Sequence, residues 1–506
     1  MILVLDFGSQ YTQLIARKVR SLNVYAEIVP FNISVDKIRL RKPTGLILSG
    51  GPASVVEKGA PSVPRALFNL GIPILGICYG MQLMTHLLGG RVARGDIREY
   101  GRVEMRVCHD DALFTGVPEH SDVWMSHGDS VLNLPKGFKR VATSPDCPAI
   151  AIRHRSRPLF GLQFHPEVHH TKYGRTILKN FATRICGERR SWRMKDFIER
   201  TIEDLQKQTD GRGVLCAVSG GVDSTVLAAL LHRAIGNRLK CVFVDNGLLR
   251  ENEAQTVLER FRRLRVPVRF IDASKGFLSG LRGVIEPEEK RRIIGRDFVE
   301  VFLRELGDMD FLAQGTLYPD VIESISVRGP SATIKTHHNR VKEILKLGAE
   351  GRLVEPLKEL FKDEVRLVGR ELGIPDEILW RQPFPGPGLA VRVIGEVTAE
   401  RLAILRKADA ILMEEIKEAR LYKKIWQSFC VLLPIQSVGV MGDERTYDHV
   451  IAIRAVRSVD GMTADWVHLP EKLLARISNR IINEVRGINR VVYDISSKPP
   501  STIEWE

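Results

Sequence analysis

Long apolar runs are missing from this chain of 506 residues: nowhere do about 18 apolar residues follow one another, so no membrane-crossing helix is expected. The opening Met1-Ile2-Leu3-Val4-Leu5 meets Asp6 at once, with no basic leader before it, and predicts a buried strand instead of a signal peptide. Cysteine is sparse. Seven are scattered with no CxxC pair, which speaks against a zinc site or a disulfide framework and for a reducing, cytoplasmic setting. Repeats and low-complexity tracts are lacking, which excludes an extended scaffold. The net charge is +14, but Lys and Arg are interleaved with Asp and Glu as on a solvated surface, so small anionic substrates account for it and no nucleic-acid partner is expected. What is present is 44% hydrophobic residues and a length that suits about three domains with ordinary cores.

Ser219-Gly220-Gly221-Val222-Asp223-Ser224-Thr225 lies between an apolar run, Val214-Leu215-Cys216-Ala217-Val218, and a helical pattern beginning at Val226. Glycines there let the backbone approach a ligand closely, and N–H groups at a helix start hold phosphate oxygens. A Walker loop would add a lysine for the terminal phosphates. This loop offers hydroxyls and one carboxylate, Asp223, suited to a Mg²⁺-bound pyrophosphate, so ATP cleavage between the α and β phosphates is expected. In a doubly wound sheet the strand Cys241 to Asp245, carrying Val244, would end at an adenosine crevice. Phe311 to Thr316, with Gly315, reads as a further strand and turn, and Asp320 and Glu323 are spaced to face one way on a helical turn.

A second constellation lies upstream. Ile77-Cys78-Tyr79-Gly80-Met81-Gln82 passes from strand to helix, and Gly76 and Gly80 allow the sharp turn that exposes a nucleophile. A helix N-terminus favours the thiolate, and His165, with Glu167 to orient it, is the candidate base. Ser49-Gly50-Gly51-Pro52 supplies a loop whose N–H at Gly51 could join that of Tyr79 around an oxyanion. His86, His169 and His170 read as ordinary structural histidines.

GxCxGxQ together with HPE resembles the class I glutamine amidotransferase family. The likeness implies Cys78 as nucleophile, His165 and Glu167 as its triad partners, and Gln82 near the glutamine. Ser126-His127-Gly128-Asp129 resembles that family's glutamine-holding loop, although by its residues alone it reads as an ordinary turn. SGGVDST resembles the ATP pyrophosphatases. Over essentially its whole length the chain resembles the glutamine-hydrolysing GMP synthetase family, on GICYGMQ, HPE, SGGVDST, LAQGTLYPDVIES, IKTHHN, LVEPLKELFKDEVR, PFPGPGL and KPPSTIEWE. That resemblance implies hydrolysis of glutamine to ammonia, adenylation of xanthosine monophosphate (XMP) at its 2-oxygen by ATP, and displacement by ammonia to give GMP, AMP, pyrophosphate and glutamate. It further implies Ser219, Gly220, Gly221, Val222, Asp223, Ser224, Val244, Gly315, Asp320, Glu323 and the lid lysine Lys335 around ATP, with Mg²⁺ at Asp223. Arg291, Gln427, Arg490, Lys498, Ile503 and Glu504 then become XMP contacts, and the C-terminal unit a homodimer interface. One departure is Arg340 to Leu347, helical in pattern where the family has a Gly-rich, Pro-containing stretch.

The expected fold is α/β: two doubly wound, mostly parallel domains at 1–186 and 196–384, joined by a linker at 187–195, and a smaller α+β domain at 385–506. A tRNA-modifying relative sharing SGGxDS would leave Cys78, His165 and Glu167 unused. Glutamine-dependent NAD synthetase resembles a different glutaminase, and a non-catalytic scaffold would not need these residues.

Overall fold

The computed structural model describes the chain except for residues 10, 308, 326–341, 442–443, 459–460 and 462. Two compact units result, one containing Met1–Phe197 and the helix Tyr318–Ile325, the other Ile198–Leu317 and the later described residues. Lys335 lies outside the described residues.

Short, mostly apolar runs become strands, the inner ones of the sheet covered on both faces. In the first unit these are β1 (Ile2–Asp6), β2 (Ala26–Pro30), β3 (Gly45–Leu48), β4 (Ile74–Ile77) and, later in the chain, β9 (Leu159–Leu162). They lie in the order β2-β1-β3-β4-β9, all parallel. Beyond β9 the sheet continues antiparallel through β8 (Ala151–His154), β7 (Phe138–Thr143), β5 (Arg91–Val107) and β6 (His120–Asn133). The turn expected at Ser126 to Asp129 is not one: these residues continue β6, which alternates buried and half-buried positions from Ser121 to Val131, the period that places one face on a core.

The second unit holds an all-parallel sheet of β10 (Val214–Ala217), β11 (Leu239–Asp245), β12 (Val268–Asp272), β13 (Phe311–Ala313) and β14 (Leu353–Val354), in the order β12-β11-β10-β13-β14. The chain starts in the middle, winds outward through β11 and β12, and returns to the other side of β10. The topological switch point therefore falls between β10 and β13, where ligands bind at the carboxyl ends of doubly wound sheets. A third sheet in this unit comprises β15 (Gln427–Met441), β16 (Glu444–Arg457), β17 (Asp465–Trp466) and β18 (Ile488–Asp494), with β16 central and β18 parallel to it. Helices Ala399–Glu418, capped by the Thr398 hydroxyl, and Glu471–Glu484 flank it in the sequence. One apolar core joins both sheets, running from Leu215 and Val244 through Leu389 to Leu432, Ile451 and Ile477. The helical reading of the departing segment holds over its residues 342–347, which lie in the helix Lys342–Ala349, while Arg340 and Val341 lie outside the described residues. Among the described residues no helix is long and apolar enough to cross a membrane.

Candidate functional site

Cys78 follows β4 and caps the helix Tyr79–Leu87 with φ 51° and ψ −107°, a left-handed conformation that a non-glycine residue adopts only when its surroundings enforce it. Two glycines do so by close approach. A Cβ on Gly76 would lie 2.6 Å from the Gly80 backbone, and one on Gly80 would lie 2.4 Å from the Leu48 carbonyl oxygen. The Cys78 thiol is thereby set at the carboxyl end of the parallel strands, 3.6 Å from the Ser126 carbonyl oxygen, with Gln163 Nε2 donating to Sγ at 3.8 Å.

His165 leaves the end of β9, next to β4, and its ring hydrogen-bonds the Cys78 side chain. On its other side Nδ1 lies 2.6 Å from Glu167 Oε1 in a buried pair. Burial opposes the charged ring, but the Glu167 carboxylate and the hydrogen bonds to Cys78 and Glu167 outweigh it and hold the His165 pKa well above its ordinary value. Gly51 closes the third side, its α-carbon packed so tightly that a Cβ would lie 3.3 Å from the Tyr79 ring and 2.8 Å from the Phe7 carbonyl oxygen. Three strand ends, those of β3, β4 and β9, thus deliver Gly51, Cys78 with Tyr79, and His165 with Glu167. Gln82 is buried, and its amide donates to the Asp129 carbonyl oxygen at 2.9 Å and to Gln163 Oε1 at 3.4 Å, tying the elbow helix to β6. His86, His169 and His170 are exposed, the last stacked on Trp124.

His127, on β6 beside His165, is only 5% exposed. Burial, partly offset by the Asp129 backbone, lowers its pKa from 6.5 to about 4. The unfolded chain takes up a proton in that interval which the folded site refuses, so stability falls as pH drops through it, by about 3 kcal/mol in all. His127→Gln is expected to flatten the acid fall in melting temperature between these two values. An unaltered slope would show that His127 does not fold as the neutral ring.

In the second unit the loop Ser219 to Ser224 sits at the switch point. Gly220 has φ +70°, a Cβ there would lie 2.3 Å from Val257, and its carbonyl oxygen accepts from Arg381 Nη1 at 2.6 Å. Ser219 N–H donates to Ser224 Oγ at 3.2 Å, folding the loop over the start of the helix Val222–Ile235. Gly315, just past β13, approaches Asp223, and Val244 is buried near the end of β11. A residue that sequence reasoning passed over is Lys362, whose Nζ lies 2.6 Å from Asp223 Oδ2. It stands within LVEPLKELFKDEVR, but only the 139-residue contact reveals its partner. Asp320 and Glu323 share the helix Tyr318–Ile325, as their spacing predicts.

Four of the six residues linked to XMP gather where the last residues of the chain dock. Glu504 accepts from Gln427 Nε2 at 2.7 Å and from Arg392 at 3.0 and 2.9 Å. Ile503 packs on Phe429, Val431 and Ala452, and Arg291 donates to the Glu506 carbonyl oxygen. Arg454, fully buried, donates to the carbonyl oxygens of Ser496, Thr502 and Ile503 at 2.8 to 2.9 Å. Lys498 donates to the Gly461 carbonyl oxygen at 2.8 Å, and Arg490 stands exposed on β18.

Residues 3–185 match the family model "Glutamine amidotransferase class-I", and residues 414–505 match "GMP synthase C terminal domain". The chain is 56% identical over 510 residues to the GMP synthase [glutamine-hydrolyzing] of Aquifex aeolicus (strain VF5), covering 100% of this chain and 99% of that protein. The protein of the same description from Chlorobium chlorochromatii (strain CaD3) is 56% identical over 513 residues, and that of Brachyspira hyodysenteriae (strain ATCC 49526 / WA1) is 54% identical over 509, with the same coverage.

Proposed function

The chain belongs to the glutamine-hydrolysing GMP synthase family, and from that premise we propose how its residues divide the work of making GMP from XMP, ATP and glutamine. The observation that carries the reading is that one chain holds two separate sites: a strained thiol elbow with a buried His–Glu pair, and a lysine-free phosphate loop at the switch point of another sheet.

His165 takes the Cys78 proton, and the thiolate attacks the glutamine carboxamide carbon. The N–H groups of Gly51 and Tyr79 hold the developing oxyanion, and His165, with its charge stabilised by Glu167, returns the proton to departing ammonia. Water then releases glutamate from the thioester by the same base. In the second unit the loop 219–224 grips the pyrophosphate portion of ATP while the XMP 2-oxygen attacks the α-phosphorus. Ammonia displaces AMP at C2. Asp320, Glu323 and Lys335 are assigned to the adenylation step, and Arg291, Gln427, Arg490, Lys498, Ile503 and Glu504 to XMP.

Mg²⁺ fits Asp223. Its Oδ1 is buried with no hydrogen-bond partner among the described residues, while Oδ2 faces Lys362, so Asp223 would hold the ion through one hard oxygen. When bound, the ion neutralises charge on the leaving pyrophosphate. Asp223→Asn is expected to lower AMP and pyrophosphate formation at least about a hundredfold with either glutamine or ammonium as nitrogen source. Release of ADP and phosphate by the native protein would overturn the loop assignment.

The domain boundaries 1–186, 196–384 and 385–506, a cytoplasmic location and a homodimer through the last of these domains complete the reading. Exposed Ile435, Val438, Val440 and Tyr447 on β15 and β16 support the dimer. The whole is tested by incubating the protein with XMP, ATP, Mg²⁺ and glutamine and weighing the products. GMP, AMP, pyrophosphate and glutamate in equal amounts are expected, and absence of GMP with folded protein refutes it.

A further inference from the structure

We infer that Arg392 is a positioning residue for acceptor recognition: it fixes the place and the plane of the Glu504 carboxylate against which the purine is read. This rests on the assignment of Glu504 to XMP above, and goes beyond it by naming what aims that side chain.

Arg392 ends the turn Gly388–Arg392 and its side chain is wholly removed from solvent. Its guanidinium lies between two aromatic rings, 4.1 Å from the Phe429 centroid and 5.2 Å from that of Phe384, which confine it to one plane. From there Nε donates to Glu504 Oε2 at 3.0 Å and Nη2 to Oε1 at 2.9 Å, a two-point fork that sets the orientation of the carboxylate as well as its position. Gln427 adds a third donor on Oε1 at 2.7 Å.

The arrangement is more than an anchor for the chain end. Arg454 already holds the backbone there through the Ser496, Thr502 and Ile503 carbonyl oxygens, and buried Lys290 pairs with Glu506. Neither touches the Glu504 side chain, which stays 17% exposed while the arginine behind it is fully covered. A carboxylate gripped from behind by three donors and open in front can only accept hydrogen bonds. It therefore favours a purine that presents N–H groups, as the ring nitrogens beside the 2-oxygen of XMP do. Lysine could supply the charge but not the fork or the stacking.

The test is a double-substitution cycle read in the steady-state kinetics of ammonium-dependent GMP formation and by calorimetric XMP binding. Arg392→Met, which keeps the bulk between the two rings, is expected to raise the KM for XMP about tenfold or more, with a smaller change in kcat, and Arg392→Lys to recover part of the loss. In a Glu504→Gln background Arg392→Met should add less than about twofold, because the group it aims has already been altered. Equal penalties with and without Glu504, or an unmoved KM for XMP in a folded Arg392→Met protein, overturn the proposal while leaving Glu504 itself in place. An unmoved KM in Glu504→Gln alone refutes the underlying assignment, and the proposal with it. Should Arg392→Met fail to fold, Arg392→Lys carries the same comparison.

Discussion

Cys78→Ala is expected to reduce glutamine-dependent GMP formation below detection while synthesis from added ammonium stays within about twofold of the native rate. The thiolate is the bond-forming atom of glutamine hydrolysis, and neither Ser126, Gln163 nor His165 around it supplies a replacement nucleophile at the elbow. Alanine also fits. It removes only sulfur from a position already held at positive φ by its neighbours, so the first unit keeps its fold. The phosphate loop with Asp223 belongs to a separate unit with its own core and its own sheet. Parallel assays with glutamine and with ammonium decide the matter. Loss of both activities in a folded variant would mean that the thiol serves the second reaction as well.

Removing residues 498–506 is expected to abolish GMP formation from either nitrogen source and to lower the melting temperature of the second unit, while basal glutamine hydrolysis persists. The segment is a structural partner as much as a substrate contact. Its loss strips Lys290 of Glu506, Arg392 of Glu504 and Arg454 of the Thr502 and Ile503 carbonyl oxygens, all three cations being fully buried. A single buried charge deprived of its partner costs about 3–5 kcal/mol. Differential scanning calorimetry, read beside the glutaminase and synthetase rates, separates the two units. Undiminished XMP binding by the truncated protein would exclude the segment from acceptor recognition.

What could be read from the sequence was local. The elbow at Cys78 and the loop at Ser219 are encoded by glycines a few residues from the functional side chain, and their geometry follows from backbone sterics over one turn. Uninterrupted apolar runs such as Leu46-Ile47-Leu48 and Ile74 to Ile77 gave away the buried parallel strands. What escaped was long-range or disguised. Lys362 and Arg392 reach partners 139 and 112 residues away, and among 75 basic residues nothing local distinguishes a buried cation from a solvated one. Ser126 to Asp129 hid a strand because its inward positions carry His127 and Asp129 in place of apolar residues, so the period of two survived in burial but not in hydropathy.

The winding order of the second sheet also fixes when it can be completed. β10 is made first and pairs early with β11, where Val214 meets Leu239 after 25 residues, but its other edge must wait for Phe311, 97 residues downstream of Val214. Val214, Leu215 and Cys216 are entirely buried once β13 arrives. Until then they present an apolar strand edge open to any passing chain, and the loop-closure entropy of that late contact makes it slow. On the ribosome, therefore, the stretch between the synthesis of β10 and that of β13 is when this sheet is most exposed to misassembly.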